Sequence, residues 1–204
     1  MKRGKLIVFE GISGTGKETQ AKLLQEYLKN KGIPSMIVYH PSPDLKEILA
    51  RWRKARGIDY MTEAYLLLAD RYDHVRRIIH PALAKGQWVI SLRNWVSALV
   101  YQGKSQKDRK FLYSEFSRFE PKVDTLFYFD IQSEEAYRRI HQRLQLTGEQ
   151  LGKFETLSFL KQKRSAYQPV LRLIPHVTID ASKEIRDIRT HVIGHMVQKY
   201  RILP

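Results

Sequence analysis

The 204 residues carry 36 lysines and arginines against 21 acidic side chains, a formal net charge of +15, and no cysteine. That length suits one compact domain, 1–204, with a sizeable core, and the missing thiols exclude disulfides and cysteine nucleophiles. The opening MKRGKLIVF has too short an apolar run for a signal peptide or membrane span, which points to a cytoplasmic protein with no membrane partner.

Leu6, Ile7, Val8 and Phe9 read as a buried parallel strand, because four consecutive bulky residues need cover on both sheet faces. The run then breaks into GISGTGKET, where Gly11, Gly14 and Gly16 let the backbone turn tightly and point successive N–H groups into one concavity. A helix beginning near Lys17 adds its positive dipole end, and the Lys17 ammonium can reach the outer phosphates of a nucleoside triphosphate. The candidate phosphate cradle is therefore Gly11, Ser13, Gly14, Thr15, Gly16, Lys17, Glu18 and Thr19. A hydroxyl normally follows Gly-Lys and ligates Mg²⁺; here Glu18 stands in that place and the hydroxyl comes one residue later, at Thr19.

Helix and strand patterns then alternate. Thr19 to Lys31 carries Ala21, Leu24 and Leu28 on one face and stops at Gly32. Ser35 to Tyr39 reads as a strand, 45–56 as a basic helix, 62–84 as a longer helix, and Trp88 to Ser91 as a third strand. Helices over 94–102 and 107–119 lead to a β-forming run at Thr125 to Ile131, and Ser133 is placed to cap the next helix. A polar stretch, LQLTGEQLGKF, precedes a helix over about 156–173, a strand at Val177 to Asp180 and a closing helix. The five strands and intervening helices predict a doubly wound α/β fold, a parallel sheet covered on both faces.

Ligands in such sheets bind beyond the carboxyl ends of the strands. His40-Pro41 and Leu92-Arg93-Asn94 follow the second and third strands, and the 62–84 helix carries Arg71. Arg71 and Arg93 are candidates because a guanidinium fork binds phosphate or a base edge in two-pronged fashion. The densest basic cluster, RWRKAR at 51–56, reads as a solvated helix face in preference to a polynucleotide groove, so nucleic acid is the less favoured partner.

In order, FEGISGTGKETQ, LLLADRYDHVRRIIHPALAKGQWVIS, SLRNWVSALVYQG and KFETLSFLKQKRSAY resemble the signature blocks of thymidylate kinases. The resemblance implies a P-loop NTPase-type fold, transfer of the ATP γ-phosphoryl group to thymidine monophosphate with Mg²⁺, and a homodimer. It also implies roles. Lys17 holds ATP phosphates, Arg93 bridges donor and acceptor phosphates, and Arg71, Tyr101 and Gln102 face the acceptor nucleotide, on the side where His40, Leu67 and Ser97 also stand. The polar segment 144–154 looks like the family's lid, with Arg143 and Lys153 as its cations. Phosphoryl transfer rests on positioned cations more than on a base, which agrees with Lys17, Arg93, Arg143 and Lys153 as the catalytic set.

The chain departs from the family pattern at Ser13, Glu18 and Leu92 on the metal and phosphate side, and at His40, Leu67 and Ala98 on the acceptor side. Leu67 stands where the family has an aromatic residue against the base. Glu18 is the candidate replacement carboxylate for Mg²⁺, an ion that takes oxygen ligands. Two alternatives stay open on the residues alone: a same-fold kinase with another nucleotide or nucleoside acceptor, and a catalytically weak nucleotide-binding protein.

Overall fold

The apolar run at the start forms β1 (Leu6–Glu10), buried along its whole length. In the computed structural model, which describes residues 2–148, 151–152 and 154–202, β1 is the central strand of a five-stranded parallel sheet with helices around it. The other strands are β2 (Ser35–Tyr39), β3 (Trp88–Leu92), β4 (Thr125–Asp130) and β5 (Val177–Asp180), in the order β2-β3-β1-β4-β5. By its contacts the chain divides into two compact units, Met1–Val8 with Ile33–Thr125, and Phe9–Gly32 with Leu126–Pro204.

In the first unit β2 pairs with β3 from Ser35 opposite Trp88 to Tyr39 opposite Leu92. The His40 N–H then donates to the Leu92 carbonyl at 3.0 Å. Ser42 caps α2 (Pro43–Ala55) by accepting from the Leu45 N–H, with Pro43 at the first helical position, where its missing donor costs nothing. Asp59 caps α3 (Tyr60–His74) by accepting from the N–H groups of Met61 and Thr62. The stretch expected as one helix over 62–84 is interrupted: α3 passes into a π-helical turn, Val75–Ile79, before α4 (His80–Ala84). Pro81 lies just beyond that turn. It has no N–H for the ladder and its ring crowds the carbonyl four residues back, and the wider turn takes up the misfit.

Leu45 and Leu49 of α2 pack with Leu67 of α3 in a buried cluster flanked by Ile48, Ile58 and Leu66. Each such leucine contributes roughly 2 kcal/mol by leaving water. Asn94 caps α5 (Trp95–Tyr101), and Ser105 with Asp108 forms a reciprocal capping box at α6 (Gln106–Ser117).

In the second unit Phe9 packs its ring against Phe127 and Phe129, centroids 5.5 and 5.0 Å apart, and β4 pairs with β5 from Phe127 opposite Val177 to Asp130 opposite Asp180. Around these strands lie α1 (Lys17–Asn30), α7 (Ser133–Thr147), α8 (Leu157–Leu171) and α9 (Ile185–Tyr200). Ala21, Leu24 and Leu28 are buried as the helical spacing predicts, and the Gln20 side chain donates to the Ile185 carbonyl at the start of α9, 3.0 Å away. Gln132 occupies the cap position of α7, without a side-chain bond; Ser133, expected there, is the buried first helical residue.

Candidate active site

The loop after β1 is shaped by close backbone approach. A Cβ added at Gly11 would lie 2.5 Å from the Phe129 carbonyl oxygen, and one at Gly14 the same distance from that of Ala136, both at positive φ. No side chain fits at either place, so the loop lies directly against β4 and the first turn of α7. Gly16 forms the left-handed cap of α1. Thr15 is buried, Ser13 is partly covered, and Glu18 and Thr19 are exposed.

Lys17 is nearly buried, and its ammonium donates to the Ile12 carbonyl at 2.6 Å and to Thr15 Oγ1 at 2.9 Å. Thr15 in turn donates to the same carbonyl at 3.2 Å. The cation thus rests on oxygens of its own loop, the geometry phosphate oxygens can take over. Glu10, fully buried at the end of β1, accepts from the Tyr167 hydroxyl of α8 at 2.8 Å. Nothing in the spacing of the chain pairs these two, 157 residues apart; the local signal is a carboxylate closing an apolar strand. Glu18 points along α1, where its carboxylate lies 3.3 Å from the Lys22 ammonium and is more than half exposed.

On α7, Arg143 donates to Glu155 at 2.7 Å, and the other oxygen of Glu155 accepts from the Gly152 N–H at 3.0 Å. The expected lid over 144–154 begins inside this helix, since α7 runs to Thr147 and closes at a left-handed Gly148. Lys153 lies outside the described residues. Arg138 and Arg139 both donate to Glu135 and hold its carboxyl down at about 2; Arg139 also reaches the carbonyls of Ala181 and Ser182.

The residues expected on the acceptor side are in the first unit. Arg93 takes a left-handed backbone, φ 73°, directly after β3. Its Nη1 donates to Ser97 Oγ at 2.9 Å and its guanidinium carbon lies 5.1 Å from the Tyr101 ring centre, so Arg93, Ser97 and Tyr101 are brought together on one turn of chain and α5. Gln102 is buried and donates to Glu63 at 2.9 Å, and Glu63 also receives both prongs of Arg53. The remaining basic cluster on α2 is solvated as expected, with Arg51, Lys54 and Arg56 exposed and Arg56 stacked 4.0 Å from the Trp52 ring.

His40 is buried beside Asp70, Nδ1 to Oδ2 3.4 Å, with Phe116 edge-on to its ring. Burial lowers the His40 pKa, and the opposing influence of the Asp70 carboxylate does not reverse this, so the ring is neutral. Burial alone would raise Asp70, but the neighbouring His40 and the hydrogen bonds from the side chain and backbone of Ser42 outweigh it and keep the carboxylate charged. Leu67 is inside the α2–α3 cluster. Arg71 is fully buried, with its fork taken by Glu120 at 2.9 Å through Nε and also through Nη2.

A phosphate-type loop and a strand-end arginine on a five-stranded parallel sheet give a fold-level likeness that whole-chain comparison sharpens. The Thymidylate kinase family model matches residues 9–192. A probable thymidylate kinase of Pyrococcus horikoshii is 34% identical over 94% of this chain and 95% of its own. One from Thermococcus gammatolerans is 32% identical over 96% and 97%, and a thymidylate kinase of Akkermansia muciniphila is 34% identical over 90% and 87%. With the match running from the last residues of β1 into α9, the chain belongs to the thymidylate kinase family.

Proposed function

We propose that this chain is an ATP-dependent phosphotransferase that carries the γ-phosphoryl group of ATP to thymidine monophosphate, giving the diphosphate. The observation that carries the reading is the loop of residues 11–19, whose Lys17 ammonium is held on Ile12 and Thr15 where a phosphate can replace them. An oxygen of the acceptor phosphate attacks the γ-phosphorus as the bond to the departing diphosphate breaks. A monophosphate ester has its second pKa near 6, so it is dianionic at neutral pH and needs no side-chain base. What the step needs is compensation of the charge on the transferring oxygens. Gly11, Ser13, Gly14, Thr15, Gly16, Glu18 and Thr19 supply the cradle backbone, and Lys17 and Arg93 the cations.

Arg143 and Lys153 act from a lid over about 144–154 that excludes water, a competing acceptor. His40, Leu67, Arg71, Ser97, Tyr101 and Gln102 make up the acceptor side. The family resemblance supports a cytoplasmic homodimer, and no helix among the described residues is long and apolar enough to cross a membrane.

Mg²⁺ accompanies ATP in this reading, but the acidic groups among the described residues do not fit a protein-held ion. Glu18 faces Lys22, Glu10 is taken by Tyr167, and among the described residues no three carboxylate, histidine or cysteine side chains converge. Phosphate oxygens and water are the ligands that suit Mg²⁺ where a cage is missing.

A coupled assay with ATP and a panel of nucleoside monophosphates tests the reading. Thymidine monophosphate should be the best acceptor, and Arg93→Ala should lower turnover by roughly two to four powers of ten while binding changes little. No transfer to any monophosphate, with ATP binding intact, overturns it.

A further inference from the structure

Gln102 follows the last residue of α5, and its backbone N–H donates to the Ala98 carbonyl at 2.9 Å. The chain turns tightly straight after it: a Cβ added at Gly103 would lie 2.4 Å from the Leu99 carbonyl oxygen, and the Gly103 carbonyl accepts from Arg109 Nη1 at 2.9 Å. With the backbone held on both sides and the residue only 6% exposed, what remains to be set is which end of the side-chain amide faces which way. The two ends are close in size and opposite in chemistry, one a pair of donors and the other an acceptor.

Glu63 decides between them. Its Oε1 accepts from Gln102 Nε2 at 2.9 Å and from Arg53 Nη2 at 2.6 Å, and its Oε2 accepts from Arg53 Nε at 3.2 Å. Arg53 is thus the member of the basic cluster on α2 that turns inward. A guanidinium can only donate, so the carboxylate it holds offers Gln102 lone pairs and no proton. Gln102 must therefore turn its Nε2 to Glu63 and its carbonyl Oε1 away. Glu63, Leu67 and Arg71 recur at every fourth residue and are all buried on α3, so Glu63 shares its face of that helix with two of the acceptor-side residues. On α5, Ser97 is engaged by Arg93 and Ala98 has no hydrogen-bonding side chain, which puts the Gln102 amide forward as the group that meets a base edge.

We propose that Glu63 sets the base specificity of the acceptor site, by fixing Gln102 so that its carbonyl accepts from the N3–H of thymine. Thymine and uracil carry a proton on N3; cytosine carries a lone pair there, which a carbonyl oxygen repels. Glu63 is a positioning residue, tied to α2 by Arg53. The inference rests on the acceptor-side place given above to Gln102.

Specificity constants for thymidine and deoxycytidine monophosphates, with ATP as donor, test this on the wild type, Gln102→Ala, Glu63→Gln, Glu63→Asp and the swapped pair Glu63→Gln/Gln102→Glu, with melting temperatures to establish that each is folded. In Glu63→Gln the new amide keeps an oxygen for Arg53 and offers N–H groups to Gln102, which then turns its own Nε2 to the base. The ratio of the two constants should fall about tenfold toward deoxycytidine monophosphate, the effect of one mismatched hydrogen bond at a buried edge. Glu63→Asp draws the carboxylate back by one methylene and should lower the ratio as well, so the outcome does not hang on one variant. In the swapped pair the amide sits on α3 and the carboxylate follows α5, so an acceptor again meets N3–H and most of the ratio should return. A merely structural Glu63 lowers both constants together.

An unchanged ratio in either folded Glu63 variant, or a swapped pair with the ratio still lost, overturns the inference. An unchanged ratio in Gln102→Ala takes Gln102 off the base edge and the inference with it. A wild type that phosphorylates neither monophosphate overturns the proposed reaction itself, which separates that failure from the others.

Discussion

At the scale of single residues, Lys17 and Glu18 stand side by side and do opposite things. Lys17 is folded onto its loop, so Lys17→Ala removes the charge that answers the outer phosphates and leaves Thr15 to hold Ile12. The variant should remain folded and lose ATP binding, at least a hundredfold by calorimetry; unchanged affinity would reduce the loop to a turn. Glu18 sits at the first turn of α1 with Lys22 one turn on, an exposed pair whose contribution is within about 0.5 kcal/mol. Glu18→Thr should then leave the Mg²⁺ concentration for half-maximal activity unchanged within about twofold, and a clear rise in that concentration would give the carboxylate a part in metal binding. The cradle was legible in the sequence because strand, glycine turn and helix start are all local signals. The resting partners of its side chains were not, since they depend on which carbonyl or neighbour lies nearest once the loop is folded.

Among the elements, α3 carries a family position whose side chain is packed into a local core. Leu67 stands where an aromatic residue was expected to cover a base, but it is 5% exposed and packed against Leu45 and Leu49. Restoring an aromatic ring by Leu67→Phe should overpack that cluster and cost about 1–3 kcal/mol, read as a lower denaturant midpoint; a stabilised variant would mean that spare room exists at that point. Periodicity found the helix from 62 to 84 but passed over the π turn, because apolar spacing is nearly the same on either side of one extra residue. Pro81 was its single visible cue. Arg71 is legible in the sequence as an important arginine, but its ion pair is not. Its partner Glu120 is 49 residues away, and nothing in the spacing of the chain announces a pairing that tertiary packing alone creates. The five strands, by contrast, were readable from composition, since a parallel sheet requires apolar runs.

For the whole molecule, charge and burial set the response to acid. His40 and His195 both have lowered pKa values, caused chiefly by burial. The unfolded chain takes up those protons first, so stability is fully present above about pH 6.5 and falls as the pH drops toward the folded values, by at most about 1.4 kcal/mol per pH unit for each group. Glu135, Asp70, Asp59, Asp108 and Asp180 are lowered, so their contribution is present above about pH 4 and is lost below it. Thermal melts from pH 8 to 4.5 should show the first decline, and His40→Gln should flatten part of it; an unchanged profile would mean that His40 does not titrate on unfolding.

The formal charge of +15 draws every phosphate in its surroundings toward the surface. Yet the Lys17 ammonium is already answered from within the loop. Any visiting anion must first displace a short bond to Ile12, so the resting loop works as a threshold. A lone phosphate recovers little of that bond, while a chain of phosphates spread over several backbone N–H groups recovers more than it displaces.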